Sequence, residues 1–127
     1  DLKGSLGDLG GRIETIYRDA GLAAPSVKEV MDTLGGKKAE IVSVLGVLLN
    51  EGVLVKVTED LYFHSGPLNK LKEDYTAALV KAGKATPATF KDLTGLSRKY
   101  IIPLMEYFDA TKLTIRVGDH RTLRERR

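Results

Sequence analysis

Apolar residues recur at helical spacing in three successive stretches of each half of the chain, and each third stretch runs into a segment that alternates at strand spacing. "GRIETIYRDAG" sets Ile13, Ile16 and Tyr17 on one helical face and ends at Gly21, and "LNKLKEDYTAALVKAG" does the same with Leu68, Leu71, Tyr75 and Leu79 before Gly83. "APSVKEVMDTLG" and "TPATFKDLTGL" predict a short second helix in each half, with Ser26 and Thr86 as N-caps and Gly35 and Gly95 as stops. "KKAEIVSVLGVLLNEG" leads into "VLVKVTEDLYFHS", and "SRKYIIPLMEYFDATK" leads into "LTIRVGDHRTLR". Each is a longer helix followed by a hairpin.

The two halves superpose at an offset of about 59 residues, which pairs Val42 with Ile101, Leu45 with Leu104, Leu49 with Phe108, Asn50 with Asp109 and Leu54 with Leu113. Three helices closed by a two-stranded hairpin, with a short turn between the second and third helices, is the winged helix-turn-helix plan. The predicted fold is therefore mostly α with small β-hairpin wings, as two tandem winged-helix domains, residues 1–66 and 67–127. "HSGPLN" at 64–69 is the expected break, and two domains this small are expected to share a partly buried linker or interface.

Around the last helix the pattern becomes chemical. Ser97 is placed to N-cap it, and Ile101, Leu104, Met105 and Phe108 form its core face. Arg98 and Lys99 then stand beside the positive end of the helix dipole, where cations are mildly unfavourable and where a phosphate would be welcome. Pro103 falls inside this helix and predicts a bend or a late start. In the hairpin, Leu113, Ile115 and Val117 are expected to face the core, with Thr114 and Arg116 outward and Gly118-Asp119 as a two-residue turn. That register sets Arg116 opposite Arg121, a like-charged pair most simply explained by a bridging anion. The matching positions of the first hairpin are Val57 and Tyr62, with Glu59 and Asp60 at an acidic tip.

Charge sharpens the contrast between the halves. The net charge of the 127 residues is +3, but residues 1–66 carry 7 Lys/Arg against 10 Asp/Glu, whereas residues 67–127 carry 13 against 7. Segregation of that size points the second half at a polyanion, although the terminal "RERR" supplies three of its positives. Cysteine is absent, which excludes disulfides and thiolate metal sites and fits a reducing compartment. There is no apolar run of membrane-spanning length and no export leader, and the opening Asp1 implies a piece of a longer protein.

Catalytic constellations do not form. "AGKAT" at 82–86 is a poor match to a P-loop, since Ala85 stands where the hydroxyl residue is required and Ala78 where the leading glycine belongs. His64 and His120 fall in different predicted domains without metal-ligand spacing, and neither completes a nucleophilic triad. Glu59-Asp60 and Glu73-Asp74 are expected to be solvated faces.

"FKDLTGLSRKY" and "PLMEYFDATKLTIRVGDHRTL", with the helix before them, resemble the C-terminal winged-helix region of the bacterial selenocysteine-specific elongation factor, SelB. The likeness is strongest over residues 86 to 124 and looser over the whole chain, which resembles the last two of the family's four tail domains. The resemblance implies that the final domain binds the selenocysteine insertion (SECIS) hairpin of messenger RNA, with Ser97, Arg98 and Lys99 at the helix start and Arg116, Gly118, Asp119 and Arg121 at the wing. It implies a cytoplasmic, monomeric translation factor that meets the ribosome and selenocysteinyl-tRNA. GTP and magnesium would belong to a GTPase part not included here, and this fragment would hold no catalytic residue, metal or cofactor. The first domain would be a spacer, with Lys37 and Lys38 available to RNA or the ribosome. A double-stranded DNA-binding regulator and a protein-interaction module are the alternatives. After Tyr100 the third helix offers Ile102, Pro103 and Glu106 and no row of Asn, Gln or Arg for base edges, which weighs against DNA.

Overall fold

The computed structural model of the protein describes residues 4–124, so Glu125, Arg126 and Arg127 of the terminal basic run lie outside the described residues. Three helices, α1 (Gly4–Ala20), α2 (Val27–Leu34) and α3 (Lys38–Asn50), lead into an antiparallel hairpin of β1 (Leu54–Thr58) and β2 (Leu61–His64). The order then repeats as α4 (Ser65–Ala82), α5 (Pro87–Thr94), α6 (Arg98–Ala110), β3 (Thr114–Val117) and β4 (His120–Leu123). This is the winged-helix plan twice. The chain divides into compact units, Asp1–Leu68 and Asn69–Arg127, and the division falls inside α4. The expected break at 64–69 is thus a helix start. Gly66 and Pro67 occupy its first turn, where proline's missing N–H costs nothing.

Local signals explain the short helices. Ser26 and Thr86 each accept a hydrogen bond from the backbone N–H three residues on, and the side chains of Glu29 and Thr89 return the bond to the cap backbone. Gly35 and Gly95 close the same helices with φ of 67° and 73°, a conformation that costs a residue bearing Cβ more than it costs glycine. Asp60 is not merely solvated, because its Oδ1 accepts the Val27 N–H at 3.0 Å and secures the start of α2.

The core of the first unit gathers Ile13, Tyr17, Val30, Ile41, Val44, Leu45, Leu48, Leu54 and Phe63, and that of the second gathers Leu71, Tyr75, Leu79, Phe90, Ile101, Leu104, Met105 and Phe108. Tyr75 meets the edge of Phe90 at 4.8 Å between ring centroids. The buried stripes of α3 and α6 match at an offset of 60, Ile41 with Ile101 and Leu48 with Phe108, and not at 59. Val42, the residue paired with Ile101 at 59, is 49% exposed. The offset returns to 59 on the closing strands, since Lys56 pairs with Tyr62 where Arg116 pairs with Arg121. An irregularity between Lys56 and Thr58 absorbs the extra residue, Val57.

The second hairpin corrects one expectation and keeps another. Arg116 does lie opposite Arg121, and Gly118-Asp119 is a two-residue turn with φ of 63° at the glycine. The burial of β3 is otherwise not as expected: Thr114, expected outward, is 1% exposed, while Ile115 and Val117, expected inside, are 39% and 47% exposed, and Arg116 is outward as expected. Thr114 is buried because its hydroxyl donates to Asp109 Oδ1 at 2.6 Å, which removes the cost of enclosing it.

Candidate nucleic-acid interface

The candidate residues lie on α6 and the β3–β4 wing. α6 begins at Arg98 without delay and runs through Pro103. Since proline has no N–H, the Lys99 carbonyl has no helical donor four residues on, and the first turn of α6 is less tied than an ordinary one. Ser97 sits at the N-cap in extended conformation, yet its side chain makes no capping bond, unlike those of Ser26 and Thr86. Ser97, Arg98 and Lys99 are all exposed, and Lys99 Nζ lies 5.2 Å from the Tyr100 ring centroid. Two cations and an uncapped hydroxyl therefore share the positive end of a helix, an arrangement suited to phosphate oxygens. α3 is built alike, with Lys37 at the N-cap, Lys38 next and no side-chain cap.

At the wing tip Arg116, Gly118 and Asp119 are exposed. Arg116 Nε donates to the Gly118 carbonyl at 3.1 Å, which holds the guanidinium against the turn, and Asp119 Oδ1 is 3.3 Å from His120 Nδ1. These groups offer one held cation, one exposed carboxylate beside His120 and turn backbone.

Arg121 is different. Its side chain does not share an anion with Arg116: the residue is 5% exposed, and Nε and Nη2 donate to Asp109 Oδ2 at 3.2 and 3.0 Å. Its backbone is also tied, donating to the Ala85 carbonyl at 2.7 Å and accepting from the Ala85 N–H at 2.9 Å. The "AGKAT" stretch is accordingly a helix end at Gly83 followed by this bridge, with nothing of a phosphate loop. Asp109 and Thr114, which complete the network, are missed by sequence reasoning. The signal was present at the correct offset, where Asp109 and Thr114 replace the Leu49 and Leu54 of the first unit.

Beneath the wing the Tyr75 hydroxyl is buried without a protein hydrogen-bond partner, as is that of Tyr17 in the first unit. Burial pushes Tyr75 up to about 12, with Asp109 adding to the rise and Arg121 opposing it. Tyr17 is also raised, by burial first and then by Tyr62 and Asp60. Among the described residues no group of three or more His, Cys, Asp or Glu could hold a metal ion, and no helix is long and apolar enough to cross a membrane.

Residues 77–123 match the model of the family described as "Elongation factor SelB, winged helix". The selenocysteine-specific elongation factor of Desulfomicrobium baculatum is 34% identical over 114 residues, covering 90% of this chain and 18% of that protein. The chain thus spans under a fifth of the relative's length. Among solved structures, the mRNA-binding domain of elongation factor SelB from E. coli in complex with SECIS RNA superposes with a TM-score of 0.73 at 22% identity, over 88% of this chain and 96% of that one. A bacterial selenocysteine-specific elongation factor EF-Sec superposes with a TM-score of 0.74 at 23% identity, over 98% of this chain and 20% of that one. Fold, helix order and sequence agree, and the chain belongs to the winged-helix region of the selenocysteine-specific elongation factor SelB family.

Proposed function

We propose that this chain is the messenger-reading part of a selenocysteine-specific elongation factor and that its second domain binds a SECIS-type RNA hairpin. The observation that carries the reading is the exposed set Ser97, Arg98 and Lys99 at an uncapped helix start, in a unit of this family that holds the chain's excess positive charge. Arg98 and Lys99 take backbone phosphates, and Arg116 takes a further one at the wing. Gly118 and Asp119 lend turn backbone and a carboxylate to an unstacked loop base, the part of an RNA hairpin that side chains can reach. Arg121 belongs to the same surface through its place in the wing, with its guanidinium turned inward.

On this reading the domains are residues 1–66 and 67–127, and the first acts as a spacer that could offer Lys37 and Lys38 to RNA or the ribosome. The fragment binds and does not catalyse. GTP, magnesium, selenocysteinyl-tRNA and the main ribosome contacts belong to the rest of the full-length factor, which works in the cytoplasm as a monomer.

Titration of the 127-residue chain with a SECIS hairpin and with duplex DNA of equal length tests the proposal. Hairpin binding well above duplex binding is expected. Arg98→Ala, Lys99→Ala and Arg116→Ala should each weaken the hairpin complex by about 1–3 kcal/mol, the scale of a charge-assisted contact. Equal or tighter binding of the duplex would instead favour a DNA-binding regulator.

A further inference from the structure

The wing of the second unit encloses a charge network where the first unit has none. Asp109 lies in the last turn of α6, Thr114 opens β3 and Arg121 lies on β4, so one carboxylate joins three elements: Oδ1 receives the Thr114 hydroxyl and Oδ2 receives Nε and Nη2 of Arg121. In the first unit the corresponding places hold Leu49, Leu54 and Tyr62, and the same fold forms. The fold therefore does not require the network. Nor is stability a sufficient reason for it, because a buried ion pair is often no better than apolar packing of similar volume. What it supplies is direction: apolar contacts let a two-stranded ribbon shift against its helix, whereas two hydrogen bonds from a guanidinium and one from a hydroxyl to a single carboxylate fix the angle and register.

We infer that Asp109, Thr114 and Arg121 form a positioning latch that sets the wing tip, with Arg116, Gly118 and Asp119, in the geometry that grips RNA. The inference rests on the RNA-binding reading above and adds to it a specific role for Arg121, which acts through the wing and does not touch RNA. It also accounts for the occurrence of the network on the basic unit alone.

Asp109→Asn separates this role from a direct one by the sign of its effect. The substitution removes one negative charge and releases Arg121, so a phosphate-binding Arg121 or simple long-range attraction would tighten the complex. A latch predicts weakening by about tenfold, within the range measured for groups coupled in one network. Thr114→Val, which leaves charge and volume nearly unchanged, should weaken binding in the same direction by about threefold. In the free 127-residue chain, amide hydrogen exchange at residues 115–120 should quicken in both variants at a temperature where each is folded, and Asp109→Asn, which leaves the buried Arg121 without its carboxylate, should lower the melting temperature more than Thr114→Val. Unchanged or tighter SECIS-hairpin binding in either folded variant overturns the latch, as does unchanged wing exchange. If Asp109→Asn fails to fold, Thr114→Val decides on both criteria. The exchange measurement needs no RNA, so a parent chain that does not bind the hairpin would sink the functional proposal separately.

Discussion

Tyr75 shows how much one buried atom can reveal. Its ring supports Phe90 and Phe108, but its hydroxyl has no protein partner, and such a group lowers stability relative to a plain ring. Tyr75→Phe is expected to leave stability at pH 7 level or raise it by about 1 kcal/mol. The pH dependence follows from the raised value of about 12 in the folded state against 10 for an ordinary tyrosine. Below pH 10 the hydroxyl is neutral in both states and its contribution is fully present. Between pH 10 and 12 the unfolded chain can ionise Tyr75 and the folded chain cannot, so stability falls, by roughly 2–3 kcal/mol over the whole interval. Urea unfolding at pH 7 and pH 11 checks this: the advantage of the Phe variant should grow with pH. An advantage that stays constant would mean that Tyr75 finds a partner for its charged form.

The elements were readable from sequence where their causes are local. Ser26, Thr86, Gly35 and Gly95 mark helix ends through bonds and dihedrals within a few residues, and all four perform the roles their positions imply. Strand faces were not readable in the second wing. Ile115 and Val117 look like core residues but point outward, while Thr114 and Arg121 are buried because Asp109 satisfies both, and that carboxylate lies on a different element. A period of two gives the alternation without saying which set is inside, and a satisfied polar trio inverts the usual answer. For the same reason the exposed residues proposed at the α6 start and wing tip were identifiable, whereas the setting of Arg121 was not. Caps supply the matching test. Ser26→Ala and Thr86→Ala should each cost about 1 kcal/mol by thermal or chemical melting, while Ser97→Ala should cost little stability and weaken hairpin binding. A loss at Ser97 as large as the others would show that its hydroxyl caps α6 in solution and would remove it from the RNA surface.

Across the whole molecule, two units of one plan carry opposite charge, and the basic one is expected to bind. The second unit begun at Ser65, so that α4 is entire, should retain hairpin affinity within a few-fold of the full chain, and the logarithm of affinity should fall with the logarithm of salt by about 0.7–0.9 per phosphate neutralised. Comparable binding by the first unit alone, or indifference to salt, would contradict this division. The outward placement of Ile115 and Val117 has a further consequence, for solubility. β4 is covered by the Ala85 bridge, but β3 has no strand on its other side among the described residues, and its outer face presents Ile115 and Val117. An open strand edge with β-branched residues is the kind of surface along which separate chains pair. Arg116, between them, is the only charge in the strand, so Arg116→Ala is expected to raise self-association of the RNA-free chain, measurable by light scattering, as well as to weaken the hairpin complex.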